Sequence, residues 1–207
     1  MEENLNNAQE QELESQEIPQ EEVQQEQQEA PKVLKIAVST KRTRKLVESL
    51  DEMSGEYNVD GIAVITPETA FIIALSEGQY PYGGGSLDLP ENDATTSNGD
   101  LDGEQRTDYL IALMELGEGT ACVEAKKQGW LPSVGEWRII KDHLGEINEK
   151  MEEVGGTPVS GEYWTSSLFS DEYAWHMDTG KGTRMYRGMA TALGVRSIFS
   201  TEGYKEK

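Results

Sequence analysis

The amino-acid sequence predicts an α+β domain behind an acidic arm. Three observations carry this. Two β-rich runs, GIAVI at 61–65 and AFIIAL at 70–75, stand in the first half of the chain. A capped helix with an apolar stripe begins at Ser133. Four further β-rich runs follow residue 160. Strands, then helices, then strands is the order of an α+β fold, here one whose early and late strands can pair.

The arm comes first. The chain has 207 residues and a formal charge of −21, from 18 Lys+Arg and 39 Asp+Glu. Residues 1–31 contain ten Glu and eight Gln and no Asp, Lys or Arg. They hold ten of the net negative charges, leaving −11 for residues 32–207. Leu5, Leu13, Ile18 and Val23 are too sparse to build a core, and Pro19 and Pro31 interrupt the segment. It reads as a disordered solubilising arm or as an anchor that orders only on a larger assembly. Residues 32–58 then turn basic, with Lys32, Lys35, Lys41, Arg42, Arg44 and Lys45. They read as a linker with a short strand at 33–38. Ser39 or Thr40 is placed to cap a helix running through Leu46 and Leu50 to about Met53. The acidic arm and the basic patch can pair with one another.

The globular part is expected over 59–200, with 201–207 as a tail. Thr66, Pro67, Glu68 and Thr69 read as a hairpin loop between the first two strands. Residues 76–103 read as a long loop, with Gly83, Gly84 and Gly85, two prolines and few apolar anchors. A helix is expected at 104–116 and a short one at about 120–128. Ser133 and Glu136 form a capping box. Trp137, Ile140, Leu144, Ile147, Met151 and Val154 follow on one stripe, predicting a helix of five turns that ends at Gly155 and Gly156. The last runs are 163–167, 173–178, 183–187 and 193–199. Along the second, Tyr173, Trp175 and Met177 alternate with Ala174, His176 and Asp178.

Composition excludes several classes. So acidic a chain is a poor partner for phosphate backbones, so nucleic acid is not expected. Cys122 is the only cysteine, which rules out an internal disulfide or a multi-cysteine metal site. No apolar run reaches the roughly 20 residues of a membrane span. The start, Met1-Glu2-Glu3-Asn4, lacks the apolar core of a signal peptide. Cys122 lies in an expected helix and reads as a buried core residue rather than a nucleophile. His143 and His176 have no ligand partner at local spacing. The run from Asn98 through Asp100 and Asp102 to Gly103 fits the opening of a calcium loop. The pattern then departs, with Tyr109 where a bidentate Glu is expected and Arg106 inside the loop. The alternative is a polar turn leading into a helix. Six aromatics gather late: Tyr163, Trp164, Phe169, Tyr173, Trp175 and Tyr186. Outward-pointing aromatics with charged neighbours suit sugars or protein partners.

Several motifs together carry a family resemblance. They are GWLPSVGEW at 129–137, YWTSS at 163–167, Ala174-Trp175 and Val195-Arg196, with 61–66, 71–75 and the Asp100, Asp102, Gly103 group upstream. In this order they resemble C-type-lectin-like domains of fibre and surface proteins from gut bacteria and their phages. The resemblance covers about residues 59–199. It implies two helices, a twisted antiparallel sheet with paired terminal strands, and chain ends that lie close together. Relatives include phage receptor-binding tips and the variable proteins of diversity-generating retroelements, whose binding face is built by late strands and loops. Carried over, that face spans 166–187, with Phe169, Asp171, Glu172, Tyr173, His176, Lys181, Arg184 and Tyr186 as ligand contacts. Tyr163, Trp164, Trp137 and Trp175 would be mainly structural.

The chain lacks the Glu-Pro-Asn or Gln-Pro-Asp triplet and the Trp-Asn-Asp of calcium-dependent sugar lectins. It also lacks the cysteine pair of the related formylglycine-generating enzymes. The expectation is therefore a non-enzymatic adhesion module that binds a bacterial surface polysaccharide or protein and needs no cofactor. Its setting would be a phage virion, assembled in the host cytoplasm, with residues 1–58 contacting other virion proteins and copies joined as a homo-oligomer. A capsid or tail decoration protein held by its arm is the first alternative. An enzyme on the same scaffold is the second.

Overall fold

The computed structural model describes residues 33–84 and 100–206. The arm, Asn98 and most of the loop around it lie outside them. The described residues are α+β, with four α-helices and two sheets in which most pairs are antiparallel.

The first sheet is built from β1 (Val33–Ser39), β2 (Arg44–Val47), β3 (Asn58–Ile65), β4 (Ala70–Ala74), β10 (Ile198–Ser200) and β11 (Tyr204–Glu206). Its order is β10-β4-β3-β1-β2-β11. The hairpin expected at 61–75 forms as β3 and β4, with Ile62 opposite Ile73. Thr66 closes it, its hydroxyl accepting from the Glu68 and Thr69 amides.

Two expectations for the early chain are corrected here. Residues 33–47 are not a linker: β1 lies between β2 and β3, and Ile36 is fully buried. No helix runs from 40 to 53; β2 occupies its start, and only a 3₁₀ turn at Leu50–Glu52 is helical. Thr40 does accept amide hydrogen bonds, from Arg42 and Thr43, but as the corner of a tight turn and not as a helix cap. At the other end, 204–206 are a strand. β11 pairs in parallel with β2, and the Tyr204 hydroxyl donates to Asp60 at 2.8 Å.

The second sheet comprises β5 (Gly78–Pro81), β6 (Glu162–Leu168), β7 (Tyr173–Asp178), β8 (Thr183–Gly188) and β9 (Ala192–Val195), in the order β5-β9-β6-β7-β8. The run at 193–199, expected as one strand, divides between the two sheets. Arg196 stands at the break, fully buried, with its guanidinium on the carbonyls of Ala74, Thr157 and Pro158 and on Glu77. The terminal strands pair back onto early strands, but the last one meets β2 rather than the first.

The helices are α1 (Gly103–Leu113), α2 (Ala121–Lys126), α3 (Val134–Asp142) and α4 (Leu144–Glu153). The five-turn helix expected from the stripe is thus two helices, broken at His143, whose φ of −122° and ψ of 16° leave the helical region. The stripe survives the break, because Trp137, Ile140, Ile147 and Met151 enter one core with Ile36, Ile62, Phe71 and Tyr163. A second core joins α1 and α2 to the other face of the second sheet through Leu110, Cys122, Leu131, Trp164 and Leu193.

The GEW motif fastens these layers. Ser133 accepts from the Glu136 amide, and Glu136 accepts in return from the Ser133 amide and from the Trp130 indole. Gly135 must be glycine, since a Cβ there would lie 1.9 Å from the Asp100 carbonyl oxygen. Trp137 donates from its indole to the Trp164 carbonyl at 3.1 Å. All three residues therefore work in packing, at the start of α3.

Candidate functional site

An exposed aromatic cluster forms on the outer part of the β7–β8 hairpin. Strand alternation puts Tyr173 and Trp175 on one face of β7, and the register sets Tyr186 directly opposite Trp175. Gly188 lies opposite Tyr173 and offers no side chain there, so Tyr173 leans on Tyr186, edge to face at 5.7 Å. Phe169, on the β6–β7 turn, stacks on Tyr186 with centroids 4.1 Å apart and planes within 6°. It also meets Trp175 edge-on at 5.0 Å. The Phe169 and Ser170 amides both donate to the Tyr173 carbonyl, which holds the turn against the strand. Arg184 places its guanidinium over the Trp175 ring at 4.7 Å. Tyr186 remains 53% exposed, and Phe169 and Tyr173 are exposed beside it.

The expected contact residues divide. Phe169, Tyr173, Arg184 and Tyr186 are gathered in this cluster. Asp171 and Glu172 are exposed on the adjoining turn. Lys181 lies at the opposite end of the hairpin, paired with Asp178 at 3.0 Å. Its hydrogen bonds hold the Asp178 carboxyl below the usual range.

His176 is corrected. It is fully buried, on the β7 face opposite to Tyr173, edge-on to Trp164 and 3.7 Å from Glu162. Burial lowers its pKa, which Glu162 opposes only in part. A surface ligand does not reach it. Trp175 is the converse case. Expected as structural, it belongs to the exposed cluster, and the signal was the alternation that sets it beside Tyr173.

The calcium-like segment is held by an arginine. Arg106 pairs with Asp100 at 2.8 Å and with Asp102 at 2.7 Å. Burial pushes the Asp100 carboxyl up to about 7. For Asp102 the same burial effect is outweighed by hydrogen bonds from Asp100 and Arg106, and its pKa is lowered. Among the described residues no group of three or more His, Cys, Asp or Glu side chains is arranged to hold a metal ion. Cys122 is buried against Tyr82, and burial pushes its thiol up to about 12, so it carries no thiolate at neutral pH. No described helix is long and apolar enough to cross a membrane.

No protein-family model, curated protein or solved structure matches this chain.

Proposed function

We propose that the protein is a non-enzymatic adhesion module with a C-type-lectin-like fold, and that the β7–β8 aromatic cluster grips a polysaccharide of a bacterial surface. One observation carries this reading: four aromatic side chains and a guanidinium converge on the surface of a β-hairpin, where folding alone gives no reason to keep them. Aromatic faces take the apolar faces of sugar rings, while Arg184, Asp171 and Glu172 stand where hydroxyls would need partners. The late position of the cluster agrees with the binding face implied by the resemblance. The return of the late strands onto early ones, β10 on β4 and β11 on β2, supports the fold only in part, since the first and last strands do not pair with each other. The setting we favour is a phage fibre or virion, where repeated copies turn weak single sites into strong attachment.

The test is saturable binding of the full chain to intact bacterial cells and to their purified capsular polysaccharides. Binding that Trp175→Ala and Tyr186→Ala abolish supports the reading. Binding that both variants retain overturns it, as does saturation with a purified surface protein but with no polysaccharide.

A further inference from the structure

A second surface feature is built differently. Between the pairs Trp164–His176 and Leu168–Ala174, strand β6 bulges away from β7. The bulge carries three hydroxyl residues in a row. Thr165 spends its hydroxyl on the Trp175 carbonyl at 3.0 Å, and the Ser167 hydroxyl accepts from the Val134 amide at 3.3 Å. The hydroxyl of Ser166 has no hydrogen-bond partner among the described residues, although the residue is only 1% exposed. A buried hydroxyl left unpaired is destabilising, so its retention calls for an explanation.

Ser166 lines a pocket of about 330 Å³ between β6 and the first turns of α1, together with Asp102, Gln105, Arg106, Tyr109 and Leu168. That size is at the lower end of small-ligand sites, which run about 300–1,000 Å³. The lining mixes a carboxylate, an amide, a hydroxyl, one aromatic ring and an apolar floor. Its charges also select. Arg106 is already engaged by Asp100 and Asp102, which leaves no uncompensated cation for an anionic ligand. A cationic ligand would meet the same guanidinium. A neutral ligand with several hydroxyls fits best, presenting donors to Asp102, both donors and acceptors to Gln105 and Ser166, and an apolar face to Tyr109.

We infer that this pocket between α1 and the β6 bulge is a binding site for a single neutral sugar ring. It stands apart from the β7–β8 cluster and does not rest on that cluster binding anything. The two lie on either side of the β6–β7 turn, because Leu168 lines the pocket and Phe169 joins the cluster.

The experiment is amide-resolved NMR titration of the full chain with free glucose, galactose, mannose and N-acetylglucosamine, each to tens of millimolar. The inference expects at least one of them to give saturable shifts at Gln105, Tyr109 and Ser166. Loss of the hydroxyl in Ser166→Ala is expected to weaken that titration about tenfold. Gln105→Ala and Tyr109→Ala, both at exposed positions, are expected to weaken it as well. Tyr186→Ala leaves it unchanged. No saturation with any of the four sugars overturns the inference and leaves the pocket to water. Saturable shifts confined to 169–186, or unaffected by all three pocket variants, overturn it too.

Discussion

The hairpin β6–β7 and its neighbour β8 hold two sets of aromatic residues that lead opposite lives. Tyr163 and Trp164 point inward, and each has its polar atom satisfied. The Tyr163 hydroxyl donates to Glu77 at 2.6 Å, and the Trp164 indole donates to the Tyr80 carbonyl at 3.0 Å. Trp137 packs on Tyr163 at 4.9 Å and donates to Trp164. Phe169, Tyr173, Trp175 and Tyr186 instead pack mainly on one another at the surface. Residue type does not separate the sets. Strand parity does not either, since Tyr163 pairs with Met177 on the face that carries Tyr173 and Trp175. The reach of the core does, because it covers Met177 but stops short of Trp175. The inner set is closed into the fold, and the outer set is left largely exposed.

The sharpest way to break that contrast is to remove an inner ring. Trp137→Ala is expected to cost about 3–5 kcal/mol in denaturant unfolding, by cavity formation in a closed core. Arg196→Ala is expected to cost a similar amount, about 3–5 kcal/mol, since it leaves Glu77 and three carbonyls without their shared cation. A cost below 1 kcal/mol for either would erase the distinction.

A smaller, pH-dependent effect belongs to His176. Its folded pKa is lowered, so between that value and the ordinary 6.5 the unfolded chain binds the extra proton. Stability falls as pH drops through about 6.5. Glu162 and Asp178 oppose this, while Arg187 and Lys181 add to it. The contribution of Asp100 runs the other way. Its raised pKa adds stability that is present below the ordinary carboxylate value and lost as pH rises through about 7. His176→Gln removes only the histidine contribution. The stability difference between wild type and variant, measured at pH 8 and pH 5, should therefore move in favour of the variant at pH 5. A pH-independent difference would show that His176 does not titrate with folding.

The smallest expected change is in the outer set. Tyr186→Ala should alter stability by within about 1 kcal/mol, because the residue is more than half exposed and sits on edge strand β8.

How far the sequence could foretell all this depends on which physics was local. Capping box, hairpin turn and strand alternation are local, and the elements they define appear as expected: β3 and β4, the start of α3, and β7 with Tyr173 and Trp175 on one face. Contacts distant in sequence were not legible. Nothing near His143 announces that the apolar stripe spans two helices. The ladder of β2 against β1 overrides the helical reading of residues 40–53, and Arg196 redirects a single apolar run into two sheets. In the β7–β8 hairpin, alternation correctly separates His176 from Tyr173. The resemblance, followed instead, placed His176 among the ligand contacts and Trp175 among the structural residues. The Ser166 pocket was invisible in sequence, since it depends on a bulge that re-aims one hydroxyl of three.

The central claim is that the outer cluster serves binding and not folding. The most direct measurement compares wild type with Tyr173→Ala/Tyr186→Ala for both unfolding midpoint and binding to purified capsular polysaccharide. The account predicts a nearly unchanged midpoint with saturable binding lost. Retained binding, or a midpoint that falls as far as that of Trp137→Ala, would contradict it.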